Sequence, residues 1–161
     1  MKRVLVNEPV CMGCHLCEVY CQLQHSRSTD LIKAFKKESP RQLPRLRIEA
    51  RNPVFFSLRC QHCTESHCIY ACLTGALSRN TDTGAVIIDE EKCTGCWTCI
   101  ITCPYGSIRP DTLRHKSVKC DLCQGAETPA CVLHCPNEAL VYEDTGDREG
   151  KVSRVEAPVL K

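Results

Sequence analysis

The chain has 161 residues and a formal net charge of +2, with 16 cysteines but only 3 phenylalanines, 4 tyrosines and 1 tryptophan. So few aromatic residues exclude a conventional aromatic core, and the near-neutral charge gives no indication of nucleic-acid binding. The longest apolar stretches, residues 54–56 and 85–88, are far too short to cross a bilayer, so we expect no membrane insertion. No apolar segment of the signal-peptide kind follows residues 1–3, which predicts a reducing, cytoplasmic compartment.

The first predicted element is a short strand at residues 4–6, which leads into a run of four cysteines. The run consists of Cys11, Cys14, Cys17 and Cys21, separated by 2, 2 and 3 residues. His15 lies inside the run and His25 just after it. Because the cysteines already form a complete set, we expect both imidazoles to be surface or supporting groups rather than metal ligands.

Residues 22–59 form a predicted insert that is rich in basic side chains. The Ser-Thr-Asp sequence at residues 28–30 can cap a helix at residues 31–37, and residues 46–49 and 54–56 have the pattern of strands. The insert carries the basic residues Arg27, Lys33, Lys36, Lys37, Arg41, Arg45, Arg47, Arg51 and Arg59, against the acids Asp30, Glu38 and Glu49. Such a charge run is commonly a solvated face, and the alternative is a docking surface for a partner.

Two more cysteine runs follow the insert. The second run is Cys60, Cys63, Cys68 and Cys72, separated by 2, 4 and 3 residues. The third run is Cys93, Cys96, Cys99 and Cys103, separated by 2, 2 and 3 residues. Pro104 follows the third run directly. The intervening residues 73–92 carry two predicted strands, around residues 76–77 and at 85–89, joined by a turn at Thr83 and Gly84.

The fourth run completes the use of all the cysteines. It consists of Cys120, Cys123, Cys131 and Cys135, separated by 2, 7 and 3 residues. The extra residues in the second and fourth runs fall where a loop can bulge outward, whereas the last spacing of three is kept in every run. Residues 118–119 and 139–142 are predicted strands beside residues 4–6, and the end of the chain, 144–161, is predicted to be a flexible tail.

The third run has the spacing of a bacterial ferredoxin, in which three cysteines bind one [4Fe-4S] cluster and the fourth reaches the neighbouring cluster. Applied to all the runs, this rule predicts four [4Fe-4S] clusters with crossed ligation. The predicted sets are Cys11, Cys14 and Cys17 with Cys135; Cys120, Cys123 and Cys131 with Cys21; Cys60, Cys63 and Cys68 with Cys103; and Cys93, Cys96 and Cys99 with Cys72. Because each oxidised cluster with its thiolates is anionic, the loaded protein is expected to be acidic.

If runs two and three pair with each other, runs one and four are left to pair. One ferredoxin-like unit is then nested inside another, which predicts an α+β fold of short strands and helices around the clusters. The predicted division is an outer unit at residues 1–21 and 116–143, a basic insert at 22–59, an inner unit at 60–115 and the tail at 144–161.

The residues around the cysteines resemble a known family. Residues 60–63 (CQHC), 71–76 (ACLTGA) and 103–106 (CPYG) are similar to the four-cluster iron–sulfur subunits of formate dehydrogenase, hydrogenase and dimethyl-sulfoxide-reductase-type enzymes. The opening residues 2–8 and 11–18 most resemble the ferredoxin-like electron-transfer subunit of carbon monoxide dehydrogenase, with the small subunit of tungsten aldehyde oxidoreductases close behind. Gln22 and Leu73 depart from the family pattern, because proline often follows the fourth cysteine.

The resemblance implies electron transfer without substrate chemistry of its own. It implies carbon monoxide dehydrogenase as the electron donor, and a flavin-containing pyridine-nucleotide oxidoreductase or a hydrogenase as the second redox partner. The rival donors are tungsten aldehyde oxidoreductase and formate dehydrogenase or hydrogenase. The sequence contains no phosphate-binding loop, nucleophile–base arrangement or nicotinamide fingerprint, which agrees with a chain that is not itself an enzyme.

Two other classes of protein are alternatives. A zinc-stabilised scaffold would also use sets of four cysteines, but zinc fingers and ribbons pair two separated Cys-x2-Cys knuckles and do not need the three-residue periodicity. A radical iron–sulfur enzyme leaves one iron without a cysteine ligand. Sixteen cysteines for four clusters leave none open, so electron transfer is the prediction.

Overall fold

The computed structural model describes residues 1–51 and 54–144, in which short strands alternate with short helices. The elements are β1 (Lys2–Val6), a 3-10 helix (Glu8–Val10), α1 (Leu16–His25), α2 (Leu31–Lys36), β2 (Leu46–Arg51), β3 (Val54–Arg59), α3 (His67–Tyr70), β4 (Leu77–Arg79), β5 (Val86–Ile88), α4 (Thr98–Ile101), β6 (Arg109–Asp111), β7 (Lys116–Val118), α5 (Ala130–Leu133) and β8 (Leu140–Asp144). The predicted α+β class is confirmed. The predicted tail lies outside the described residues except for Asp144.

The described strands pair as antiparallel ribbons of two: β1 with β8, β2 with β3, β4 with β5, and β6 with β7. β1 and β8 join the two ends of the described chain, with Val6 opposite Leu140 and Lys2 opposite Asp144. The prediction that residues 139–142 pair with residues 4–6 is therefore confirmed.

The prediction that residues 118–119 also lie beside residues 4–6 is wrong. β7 pairs with β6 instead, with Val118 opposite Arg109. The side chain of Asp111 accepts hydrogen bonds from the amides of Leu113 and Arg114, at 3.1 and 3.0 Å, and so stabilises the turn between the strands. A hairpin this short closes with little loss of chain entropy, which favours it over the distant strand. The boundary predicted between residues 115 and 116 falls inside this hairpin.

The helices pack in two pairs that follow the cysteine runs. α1, from run one, contacts α5, from run four, and α3, from run two, contacts α4, from run three. Because the helices are so short, most of their stability comes from this packing rather than from their own hydrogen bonds. In the insert, α2 begins as predicted, since Asp30 accepts a hydrogen bond of 2.8 Å from the amide of Lys33.

The chain leaves the fourth cysteine of each run in one of two ways. After Cys72, Cys103 and Cys135 it turns, with the amides of Gly75, Gly106 and Glu138 each donating to the cysteine carbonyl at 3.2 Å. Leu73 therefore permits the same turn as the prolines of the other two runs. After Cys21 the helix α1 continues to His25, because Gln22 has the backbone N–H that proline lacks. The division predicted between residues 21 and 22 thus falls inside α1.

The core is made of apolar side chains and cysteines together. The larger buried cluster of side chains contains Val4, Leu46, Ala85, Leu122 and Leu140 with Cys17, Cys21, Cys60, Cys120 and Cys131. The smaller one contains Leu77, Val86, Cys99 and Ile108. The cysteines of these two clusters therefore face the interior, where they substitute for the missing aromatic residues. Among the described helices none has the length and hydropathy of a membrane span.

Candidate metal centres

Three cavities are each lined by four cysteines. The first is lined by Cys11, Cys14, Cys17 and Cys135 (site 1), the second by Cys60, Cys63, Cys68 and Cys103 (site 3), and the third by Cys72, Cys93, Cys96 and Cys99 (site 4). At every one of these sites, three cysteines of one run meet the last cysteine of the run whose helix packs against theirs. The structure thus brings together the groups that crossed ligation requires.

The remaining cysteines, Cys21, Cys120, Cys123 and Cys131, form site 2, in which all four are buried. Burial raises the pKa of Cys21 to about 12, and the neighbouring thiols of Cys120 and Cys123 act in the same direction. Burial also raises the pKa of Cys131, with Cys120, Cys21 and Cys123 as its interacting neighbours. These thiols are neutral at pH 7 unless a metal displaces their protons, so metal binding and folding are coupled here.

One backbone feature recurs in every run. The residue before the second cysteine has a left-handed conformation, with φ of 68° at Gly13, 48° at His62, 70° at Gly95 and 60° at Leu122. Only two of these residues are glycines, so the repeat cannot be read from glycine spacing alone. There is a second reason for glycine at position 95, because a Cβ there would collide with the backbone carbonyl of His115. The four loops therefore share a left-handed residue at the same position.

Backbone amides approach the sulfur atoms at sites 2 and 3. The amide of Arg45 lies 3.2 Å from the sulfur of Cys21, that of His62 3.4 Å from Cys60, and that of Leu122 3.5 Å from Cys120. Such donors stabilise the anionic form of a thiolate ligand. The contact from Arg45 also shows that the insert takes part in site 2, which the cysteine spacing did not indicate.

Hydroxyl groups approach the sulfur atoms mainly at site 4. The hydroxyls of Thr74, Thr98 and Ser117 lie 3.7, 3.6 and 3.3 Å from the sulfurs of Cys72, Cys96 and Cys99. At site 3, Ser107 lies 3.3 Å from the sulfur of Cys103. The pKa of Cys96 is lowered by hydrogen bonds from the amide and then the hydroxyl of Thr98. In the thiol form Cys99 donates to the hydroxyl of Ser117, and that hydroxyl can donate in return only when Cys99 is a thiolate ligand. The hydroxyl contacts of site 4 thus favour negative charge on sulfur once a metal has displaced the thiol protons.

Two buried cations lie between sites 2 and 3. Arg59 precedes Cys60 and is 4% exposed, and Lys119 precedes Cys120 and is 2% exposed. The ammonium group of Lys119 donates to the carbonyls of Val86 and of Cys120, the latter at 2.6 Å. Neither cation takes part in a salt bridge between described residues. An unpaired buried charge is costly, so an anion is required close by.

His62 lies beside these cations and is 1% exposed. Its Nδ1 accepts a hydrogen bond of 2.9 Å from the amide of Val86, so the proton of the neutral ring is on Nε2. Burial, and then the charges of Lys119 and Arg59, lower the pKa of His62 to about 3. This histidine is a neutral core residue.

Asp121 joins three segments of the chain around site 2. Its carboxylate accepts hydrogen bonds from Arg45 at 2.7 Å, from His25 at 3.1 Å and from the amide of Cys123 at 3.0 Å. His25 also contacts the carbonyl of Cys21 at 2.7 Å. These partners outweigh the effect of burial and lower the pKa of Asp121 to about 2. In the structure His25 therefore links Asp121 to α1, and Arg45 is half-buried against Asp121 rather than part of a basic surface.

His15, the other histidine expected to be a surface or supporting group, is largely exposed and contacts Glu18 at 3.1 Å. It also borders the cavity of site 1.

Arg79 is a residue that the motifs did not indicate. Its guanidinium donates to the carbonyls of Gly84, Cys63 and Thr64 and to the hydroxyl of Ser66. Arg79 therefore holds in place the loop between Cys63 and Cys68, which contains the extra residues of run two.

The donor sets fit iron–sulfur chemistry. Each site offers four cysteine sulfurs, the ligand type and number of a [4Fe-4S] cluster, and the crossed sets reproduce the ferredoxin arrangement. Comparison with known proteins agrees with this: residues 52–145 match the model of the 4Fe-4S dicluster domain. The chain belongs to the 4Fe-4S dicluster domain family. It is accordingly an iron–sulfur protein, whose cysteine sets fit [4Fe-4S] clusters.

Relatives of similar length support the assignment of this 4Fe-4S dicluster protein. An iron-sulfur protein of Rhodospirillum rubrum is 34% identical, with 88% of this chain and 81% of the relative covered. The electron transport protein HydN of Escherichia coli (strain K12) is 31% identical, with 91% and 90% covered. The chain spans only 21% and 23% of two longer relatives, the putative oxidoreductases AegA and UacF of the same organism.

Among solved structures, the chain resembles a chain of the active-site complex BamBC of benzoyl coenzyme A reductase. The TM-score is 0.46 at 25% identity, covering 89% of this chain and 79% of that chain.

Proposed function

We propose that the chain binds four [4Fe-4S] clusters, one at each site, and relays electrons between two protein partners. The observation that carries this proposal is the crossed grouping of all sixteen cysteines into four sets of four, with none left over. The clusters would supply one-electron redox chemistry. The protein's own contribution is to hold them at fixed positions, exclude water and set the charge around each of them.

The contacts between helices and between thiols give the spatial order of the four sites. Sites 1 and 2 share the helix pair α1 and α5, and sites 3 and 4 share the pair α3 and α4. Between the pairs, the thiols of Cys60 in site 3 and Cys120 in site 2 interact electrostatically. The order is therefore 1, 2, 3, 4, and the buried cations Arg59 and Lys119 lie at its centre.

Both ends of this series reach the surface. Cys14 of site 1 and Cys96 of site 4 are exposed, whereas the cysteines of site 2 are all buried. Electron transfer between proteins needs a short distance at each contact, so sites 1 and 4 are the proposed points of entry and exit. In this arrangement the outer unit, residues 1–21 and 116–143, contributes one end, and the inner unit, residues 60–115, contributes the other.

The basic insert, residues 22–59, is the proposed docking surface. Its exposed basic side chains are Arg27, Lys33, Lys36, Lys37, Arg41 and Arg51. Arg59 is buried, Arg45 is half-buried against Asp121, and Arg47 pairs with Glu49 at 2.7 Å. The docking surface therefore contains six of the nine basic residues of the insert. On a protein made acidic by its clusters, this basic patch would attract an acidic partner.

For the specific circuit, we propose carbon monoxide dehydrogenase as the donor and a flavin-containing pyridine-nucleotide oxidoreductase or a hydrogenase as the acceptor, in the reducing cytoplasm. The resemblance of residues 2–8 and 11–18 to the electron-transfer subunit of that dehydrogenase supports the choice. The alternative donor is tungsten aldehyde oxidoreductase, or formate dehydrogenase or hydrogenase.

The donor can be tested by mixing the oxidised protein anaerobically with each enzyme and its substrate and following the bleaching of the visible iron–sulfur absorption. We expect rapid bleaching with carbon monoxide and its dehydrogenase, at a rate that falls as salt screens the basic patch. Reduction by aldehyde and its oxidoreductase, without reduction by carbon monoxide and its dehydrogenase, would overturn the choice of donor and leave the relay intact.

A further inference from the structure

The two end sites differ in the hydroxyl groups that touch their sulfur atoms. At site 4, three of the four cysteine sulfurs have a threonine or serine hydroxyl within 3.7 Å. Trp97 also lines that cavity, and its buried Nε1–H has no partner among the described residues. At site 1, no hydroxyl of the described residues contacts a cysteine sulfur. Ser57 borders that cavity with a buried hydroxyl that is likewise unpartnered among the described residues.

The charged side chains beside sites 1 and 4 also differ, and they favour negative charge at site 4 as the hydroxyl groups do. At site 4, the ammonium group of Lys116 donates to the carbonyl of Cys93 at 2.6 Å. At site 1, Glu18 directly follows Cys17, and its carboxylate is held there by the amide of Ile48 at 2.6 Å. His15 contacts that carboxylate at 3.1 Å but is largely exposed to solvent, whereas Glu18 is partly buried. Before Cys93, Asp89 pairs with Lys92 at 3.2 Å and Glu91 is exposed. The partly buried Lys116 is therefore the main charge beside site 4, and the partly buried Glu18 is the main charge beside site 1.

These differences act on reduction, because reducing a site adds one negative charge to it. Donors to the cysteine sulfurs and a neighbouring cation stabilise the added charge and raise the reduction potential. A neighbouring carboxylate lowers it. Site 4 has three hydroxyl contacts and Lys116, and site 1 has Glu18.

We infer that site 4 has a higher reduction potential than site 1, so that electrons enter beside Cys14 and leave beside Cys96. This inference rests on the proposed four-cluster relay and gives it a direction. Each transfer moves one electron, with no bond formed or broken: the donor enzyme loses it at site 1, and the acceptor enzyme gains it at site 4. Thr98 and Ser117 are positioning residues in this scheme, since they act through the cysteines that they touch.

The test removes these hydroxyls while keeping the shape of the side chains. The double variant Thr98→Val with Ser117→Ala loses two contacts to sulfur at site 4. The matched control is Thr102→Val on the same helix, because the Thr102 hydroxyl contacts only the carbonyls of Thr98 and Cys99, at 3.2 and 3.3 Å. All proteins are full-length, fully loaded and titrated anaerobically, with electron paramagnetic resonance reporting each cluster as it is reduced.

The variant Glu18→Gln identifies the cluster of site 1, because removing the carboxylate should raise the fraction of that cluster that is reduced at fixed potential. In the parent protein, we expect the cluster that responds to the double variant to be reduced before the cluster that responds to Glu18→Gln. In the double variant, the ratio of reduced to oxidised form of the responding cluster at fixed potential should fall at least tenfold, which is about 59 mV for a one-electron couple. The control should leave that ratio unchanged. If the cluster shifted by the double variant is reduced after the cluster shifted by Glu18→Gln, or if the double variant shifts no cluster, the direction is overturned. Fewer than four reducible clusters in the parent protein would instead contradict the proposed function.

Discussion

Replacing Gly95 by alanine is expected to remove the cluster at site 4, lowering the iron content by about four atoms per chain, the content of one cubane. Gly95 has φ of 70°, and a Cβ there would collide with the backbone carbonyl of His115. The left-handed conformation alone costs a residue with a side chain about 1–2 kcal/mol. A clash with backbone adds to this penalty, because a carbonyl in the adjacent hairpin cannot rotate away as a side chain can. Iron and sulfide assays after anaerobic reconstitution measure the loss.

The matched control for this variant is Gly106→Ala. Gly106 also has a left-handed conformation, with φ of 57°, but a Cβ there meets no atom within 4 Å. It should therefore lower stability by about 1–2 kcal/mol through backbone strain alone and keep its full set of clusters. Equal iron loss in the two variants would show that strain, and not the close approach to His115, is the cause.

Replacing Lys119 by methionine is expected to lower the stability of the loaded protein around sites 2 and 3. In the loaded protein, the buried ammonium group would be the counter-ion of the anionic clusters at sites 2 and 3. Breaking a buried pair of charges costs about 3–5 kcal/mol, so the visible absorption should be lost at a clearly lower guanidinium concentration than in the parent protein.

In the cluster-free chain, we expect the same substitution to have the opposite effect on stability. There Lys119 is an unpaired buried charge, so methionine should leave stability unchanged or increase it. The control Lys119→Arg keeps the charge and should preserve most of the resistance of the loaded protein. A loaded Lys119→Met protein as stable as the parent would rule out the counter-ion role.

The cysteine sets could be predicted because the chemistry leaves little freedom. Four sulfurs must surround one cluster, and the constant spacing of three before the last cysteine places it one helical turn away, toward the neighbouring site. The strands at residues 4–6 and 139–142 could be paired because nothing closer in sequence competes for either of them.

Other features depend on tertiary contacts that spacing does not reveal. The hairpin of β6 and β7 forms because Asp111 stabilises its turn, and this local closure overrides the longer-range pairing. Arg45 reads as a surface charge, yet it is half-buried because the carboxylate of Asp121 pairs with it, and Arg59 is buried without a salt bridge among the described residues. His62 and Leu122 adopt a conformation that favours glycine, so only the assembled loops show that the four runs share a left-handed residue at the same position.

The measurement that tests the central claim most directly is the cluster content of anaerobically purified protein, by iron and acid-labile sulfide assay with Mössbauer spectroscopy. Four cubanes predict about 16 iron and 16 sulfide per chain, all in the spectroscopic form of [4Fe-4S] clusters. About 8 of each, the content of a two-cluster protein, or colourless protein containing zinc in place of iron, would contradict the four-site account.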